Sequence, residues 1–125
     1  MRLWLDDIRE PAKHGYIGAY WAKNYDEAIT ILHTGAVTFA SLDHDIGACA
    51  ECEAEGLHVG DMRTAETTFY NRCPHAKSGY DVVCWMEEND VWPPQGVRVH
   101  SMNPVGKQRM QQVIDRHYQP AKEKQ

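Results

Sequence analysis

Phe39-Ala40-Ser41-Leu42-Asp43-His44-Asp45-Ile46-Gly47 is the stretch whose reading decides the fold. Val37 to Leu42 is short, apolar and partly β-branched, which predicts a buried strand. The strand runs into two carboxylates and an imidazole, and Gly47 lets the chain turn behind them. Such groups are expensive to take out of water unless a cation, a proton or an anion meets them. Open parallel sheets bind ligands beyond the carboxyl ends of their strands, so the remaining chemistry is expected at the same edge.

The 125 residues fit one domain, 1–125, with 42% apolar and 25% charged side chains, as in ordinary globular proteins. A formal charge of −5 argues against long double-stranded nucleic acid as a partner but leaves room for a small anion in a local pocket. No apolar run is long enough to span a membrane, and the aspartates after Leu5 come too soon for a signal peptide. The expected location is therefore the cytoplasm, where cysteines serve as metal ligands or free thiols rather than disulfides.

Outward from the central strand, Leu3 to Leu5 reads as a strand ending at Asp6-Asp7. Arg9, Glu10 and Pro11 then open a polar connection containing Gly15 and Gly18. Ile17 to Trp21 is a second strand. Asn24 and Glu27 have capping-box spacing ahead of an apolar face, Ala28, Ile29, Ile31 and Leu32, and Gly35 stops that helix. On the other side, Gly47 to Ser78 loses all apolar periodicity and reads as an insertion. A helix over Tyr80–Asn89 follows, ended by Trp92-Pro93-Pro94 and Gly96. Val97 to Ser101 alternates as a strand. Asn103 caps a last helix with Pro104 at its first position, and Val105, Met110, Val113, Ile114 and Tyr118 share one face. The tail from Pro120 is charged and polar and is expected to fray. Strands alternating with helices make a small α/β sheet.

If the strands are parallel, three strand ends deliver Asp6, Asp7, Asp43, His44, Asp45, His100 and Ser101 to one edge. Aspartates from different strands (Asp6, Asp7 and Asp43) suit a hard cation such as Mg²⁺. The final helix offers the backbone N–H groups of Val105, Gly106 and Lys107, with the Lys107 side chain beside them, to an anion. Together these groups point to phosphate chemistry. Taken singly, Asp6-Asp7 and Asp45 also suit turns, and His100 suits a satisfied core position. Cys49-x-x-Cys52 with Cys73-x-His75 supplies four soft ligands in two close pairs, the pattern of a structural Zn²⁺ that would hold an inserted loop at about 47–78. Free thiols are the alternative, and His58 is a spare ligand. Cys84 reads as a small buried residue. Trp4, Trp21, Trp85 and Trp92 read mostly as core or cover. Stacking of Tyr16, Tyr20, Tyr25 or Trp21 on a nucleobase is a weaker reading.

Four ordered motifs, Leu5-Asp6-Asp7-x-Arg9-x-Pro11, Ser41-Leu42-Asp43-His44-Asp45-x-Gly47, Ser78-Gly79-Tyr80-Asp81-Val82-Val83 and His100-Ser101-Met102-Asn103-Pro104-Val105-Gly106, resemble the cyclic-phosphate processing receiver-like domain family. The resemblance covers nearly the whole chain. It implies a receiver/flavodoxin-like three-layer α/β fold with a mostly parallel sheet, here carrying the zinc-binding insertion. It also implies processing of cyclic phosphates on nucleotides or RNA ends. By position, Asp6 and Asp7 resemble the receiver's acidic metal pair, Asp43 its phosphoacceptor and Ser101 its hydroxyl residue; His44, His100 and Asn103 belong to this family's own motifs. Two departures stand out: no strand with the receiver's lysine follows Ser101, and the link after Asp7 is short for a crossover helix.

The expected activity is metal-assisted hydrolysis of a cyclic phosphate, a phosphodiesterase reaction. Mg²⁺ would sit on Asp6, Asp7 and Asp43, with His44 and His100 sharing the base and acid roles and Ser101 beside them. Arg9, Asp45 and Asn103, with the helix start at Val105–Lys107, would hold the substrate. Two alternatives stay open: a non-catalytic binder of a cyclic nucleotide or RNA end, and a receiver with phosphoacceptor Asp43. The oligomeric state is not readable from the residues.

Overall fold

Leu3 and Leu5 alternate with Trp4 along the first strand, and that alternation divides the molecule in two. The computed structural model describes residues 1–46 and 77–118. Strands β1 (Arg2–Leu5), β2 (Tyr20–Ala22), β3 (Phe39–Leu42) and β4 (Val97–Val99) form one sheet in the order β2-β1-β3-β4, with every pairing parallel. Leu5 lies opposite Ala22 and Leu42, and Leu42 opposite Val99, so the four strands end level. Their common C-terminal edge carries the residues after Leu5, Leu42 and Val99.

Helices α1 (Tyr25–His33), α2 (Gly79–Asn89) and α3 (Pro104–Tyr118) complete the described residues. α2 packs against both α1 and α3. One apolar cluster joins Leu3, Leu5, Ala40 and Leu42 of the sheet to Ala28 and Leu32 of α1, Val82, Val83 and Met86 of α2, and Met110, Val113 and Ile114 of α3. Full burial of each large aliphatic side chain contributes about 1.5–3 kcal/mol, so this cluster is the main cohesive term.

The expected three layers are reduced to two among the described residues. All three helices share the Leu3/Leu5 face. The opposite face, where Trp4 and Ser41 stand in register, is covered by the β1–β2 link. That link is too short for a crossover helix and makes only a 3₁₀ turn, Pro11–His14, closed by Gly15 at φ 86°. It roofs the face with rings: His14 stacks on Trp4 at 5.4 Å, Tyr16 lies tilted against Trp4 at 4.9 Å, and Tyr16 stacks on Phe39 at 6.3 Å. The second strand begins at Tyr20 rather than Ile17. The chain turns through Gly18 at φ 81°, and Ile17 is 75% exposed.

The helix starts follow their sequence signals. Asn24 Oδ1 accepts from Glu27 N–H at 2.9 Å, while the Glu27 carboxylate reaches back to Lys23 N–H at 2.7 Å. At α2, Ser78 N–H donates to the Asp81 carboxylate at 2.8 Å. Cys84 is only partly buried on α2, not the enclosed small residue expected.

Candidate functional site

Asp6 leaves β1 almost fully buried, 1% exposed, and every bond it makes organises the edge. Its Oδ1 accepts from Ile8 N–H and Arg9 N–H, both at 2.9 Å, which turns the chain away from the strand. Its Oδ2 lies 3.1 Å from His100 Nε2 and 3.6 Å from Arg9 Nε. Arg9, expected to hold the substrate, faces Asp6 and donates to the His100 carbonyl at 3.4 Å.

His100 follows β4 with its backbone N–H on the Leu42 carbonyl, and its imidazole swings back over the Trp4 face. The ring lies flat on the Trp4 indole, centroids 4.0 Å apart and planes 5° from parallel. Nδ1 is 2.8 Å from Ser41 Oγ, and Ser41 is itself fully buried in β3. Burial holds the His100 pKa below the usual 6.5, against the opposing pull of the Asp6 hydrogen bond. Burial thus disfavours the charged ring. With Asp6 accepting only, the satisfied arrangement is Nε2–H to Asp6 and the Ser41 hydroxyl donating to Nδ1.

Asp43 caps β3 at 5% exposure, with its N–H on the Leu5 carbonyl and Oδ1 accepting from His44 N–H at 2.8 Å. Burial raises its pKa, helped by Asp6, while the His44 N–H, Arg9 and a hydrogen bond from Ser101 pull the other way. Asp7 is raised too, first by desolvation and then by repulsion from Asp6, Asp43 and Asp45, although its own backbone N–H pulls it down. Among the described residues the edge thus crowds carboxylates around the single guanidinium of Arg9. Ligand atoms of Asp6, Asp43 and His100 all lie within 4.8 Å of one another.

His44 and the start of α3 form the other wall. His44 Nδ1 meets Asp45 Oδ1 at 2.9 Å, and its Nε2 has no hydrogen-bond partner among the described residues. Gly106 lies so close that a Cβ there would collide with the His44 ring. Asn103 caps α3: its Oδ1 accepts from Gly106 N–H at 3.0 Å and its carbonyl from Lys107 N–H at 2.8 Å. Those two amides therefore serve the cap. The Val105 N–H and the Asn103 carboxamide nitrogen have no partner among the described residues. Ser101 Oγ accepts from Asn103 N–H at 3.0 Å, which ties the end of β4 to the cap.

Of the expected site residues, Asp6, Asp7, Asp43, His44, Asp45, His100, Ser101 and Asn103 come together on this edge. Two contributors were not singled out, Ser41 and Trp4. A serine inside the apolar run Val37–Leu42, on the strand face of Trp4, was the available signal. Cys49, Cys52, Cys73 and His75, the expected zinc ligands, lie outside the described residues, as do His58, most of the insertion and the tail from Pro120.

A parallel 2-1-3-4 sheet with carboxylates beyond its first and third strands defines a receiver-like domain. More specifically, the sequence model of the family described as the cyclic-phosphate processing receiver domain matches residues 1–116, and the chain belongs to that family. No curated protein and no solved structure gives a significant match. Among the described residues, no helix is long and apolar enough to cross a membrane.

Proposed function

We propose that this edge hydrolyses a cyclic phosphate carried by a small nucleotide or an RNA end. The observation that supports it most is the meeting of two carboxylates and an imidazole, from three different strands, within 4.8 Å. The donor set fits a divalent cation, since mutual repulsion and burial leave Asp7 and Asp43 short of compensating positive charge. Asp6 and Asp43 would hold it, with Asp7 beside them; when bound, it would polarise a phosphoryl oxygen and acidify a water.

His44 carries the proton transfer, because its Nε2 has no partner among the described residues while both ring nitrogens of His100 are taken. Asp45 orients it through Nδ1, the usual partnership of a general base with an acceptor. The Val105 N–H and the Asn103 carboxamide, at the positive end of α3, suit the non-bridging oxygens.

The test is turnover of nucleoside 2′,3′-cyclic phosphates with and without a divalent cation. His44→Ala should lower the rate by about 10²–10⁴-fold, the range of general acid–base catalysis. An unchanged rate rejects the proton-transfer role, and saturable binding without product makes the protein a binder. Covalent phosphorylation of Asp43 by a small phosphodonor, without turnover, makes it a receiver. For the insertion, the Cys49, Cys52, Cys73 and His75 spacing supports one structural Zn²⁺. Metal analysis should find about one equivalent per chain, lost on Cys49→Ser with Cys52→Ser.

A further inference from the structure

We propose that His100 is a metal ligand through Nε2, and that Ser41 is the positioning residue that holds its ring in place for that bond. The cation preference of the edge then moves from Mg²⁺ toward Mn²⁺ and its borderline neighbours. The proposal rests on the reading above only for the presence of a cation at Asp6 and Asp43.

The argument starts with distance. Two ligands at right angles on a metal with bonds of about 2.1 Å stand about 3 Å apart. His100 Nε2 and Asp6 Oδ2 are 3.1 Å apart. All three groups lie within 4.8 Å of one another, so any excess over an opposed pair at about 4.2 Å is under 1 Å, within reach of side-chain adjustment.

Orientation comes next. The His100 side chain is 9% exposed and lies flat on Trp4, so its ring plane is fixed and Nε2 points at Asp6. Ring nitrogens held by Ser41 and Asp6 have no free edge for a substrate, so proton transfer is a poor use of this imidazole. A cation arriving between Nε2 and the carboxylates displaces the Nε2 proton, as metal binding to histidine requires. The proton of the neutral ring then sits on Nδ1, facing Ser41 Oγ at 2.8 Å. A hydroxyl both donates and accepts, so the same contact serves the ring with and without metal. That is the behaviour of an outer-shell partner that fixes a ligating histidine. Imidazole beside carboxylates favours transition metals, whereas Mg²⁺ prefers oxygen alone.

The experiment loads the full chain with Mn²⁺, which thiolates of the insertion bind poorly. Pulsed electron paramagnetic resonance should detect ¹⁴N coupling from a directly bound imidazole, lost in His100→Gln. By titration calorimetry Ser41→Ala should weaken Mn²⁺ about 10–100-fold, with a thermal melt confirming that the variant is folded. Failure to bind Mn²⁺, Mn²⁺ bound without nitrogen coupling, or Ser41→Ala binding as tightly as the wild type each overturns the proposal. Cyclic-phosphate turnover in the same samples keeps the two readings apart. Coupling without turnover leaves the ligand assignment standing and removes the hydrolysis; metal-dependent turnover without coupling does the reverse.

Discussion

Replacing Gly79 with alanine sets two effects of opposite sign against each other. Gly79 opens α2, and its N–H donates to the His44 carbonyl at 2.7 Å. By helix propensity alone, alanine should stabilise α2 by up to about 1 kcal/mol. But a Cβ at this position would run into the backbone carbonyl oxygen of Asp43 and press on the Met110 methyl at 2.8 Å. Met110 can change rotamer. The Asp43 carbonyl cannot, because its residue is anchored by its N–H on Leu5 at 2.9 Å. Overpacking against immobile atoms costs about 1–3 kcal/mol, so the net change is a destabilisation of up to about 3 kcal/mol. Urea unfolding should show a lower midpoint at unchanged slope, and Mn²⁺ affinity should fall because Asp43 is pushed from its place. A variant as stable as the wild type, binding metal equally well, would refute the claim that Gly79 is required for close approach.

Gly106→Ala should behave differently, since its obstacle is the His44 ring, which can rotate away. Stability should change by less than about 1 kcal/mol while cyclic-phosphate turnover falls; a large stability loss with intact turnover would contradict this. Asp6→Ala should cost about 2–4 kcal/mol by urea unfolding, because Ile8 N–H, Arg9 N–H and His100 lose their shared acceptor, and a near-neutral result would show that these bonds matter little. Asp7→Asn should act in the opposite direction. A carboxyl whose folded pKa is raised contributes stability below its usual 3.8 that is lost as pH rises through the folded value. The asparagine variant should therefore be the more stable one at pH 7, with the gap closing toward pH 3.8; a constant gap would contradict the assignment. For His100, whose pKa is lowered, the sign reverses: its contribution is present above 6.5 and lost as pH falls through the folded value, so the urea midpoint should drop in that window and not in His100→Gln.

The sheet and its candidate edge were legible because their signals are local. Val37–Leu42 running into Asp43-His44-Asp45, and Val97–Val99 into His100-Ser101, each place chemistry at a strand end by alternation alone. The Asn24 and Asn103 caps were equally readable from spacing. What escaped depends on tertiary approach. Nothing around Gly106 tells that His44 lies against it, and nothing in His100 tells that Ser41 and Asp6 occupy its two nitrogens. The three-layer expectation came from the family resemblance, whereas the link from Asp6 to Ala19 lacks the apolar periodicity a covering helix needs. Its tyrosine and histidine rings do the covering instead, a solution with no period to detect.

The stacking of both His14 and His100 on the Trp4 indole has a practical consequence. Tryptophan emission responds to the charge and hydrogen bonding of a ring in face-to-face contact, and Trp4 touches the imidazole nearest the acidic edge. Its donor nitrogen is tied to the Arg9 carbonyl at 2.8 Å, so the fluorophore is coupled to the loop that Asp6 shapes as well. If the edge binds a cation as proposed, the emission of Trp4 should change on binding, and a variant with Trp21, Trp85 and Trp92 replaced would make that change readable without a label.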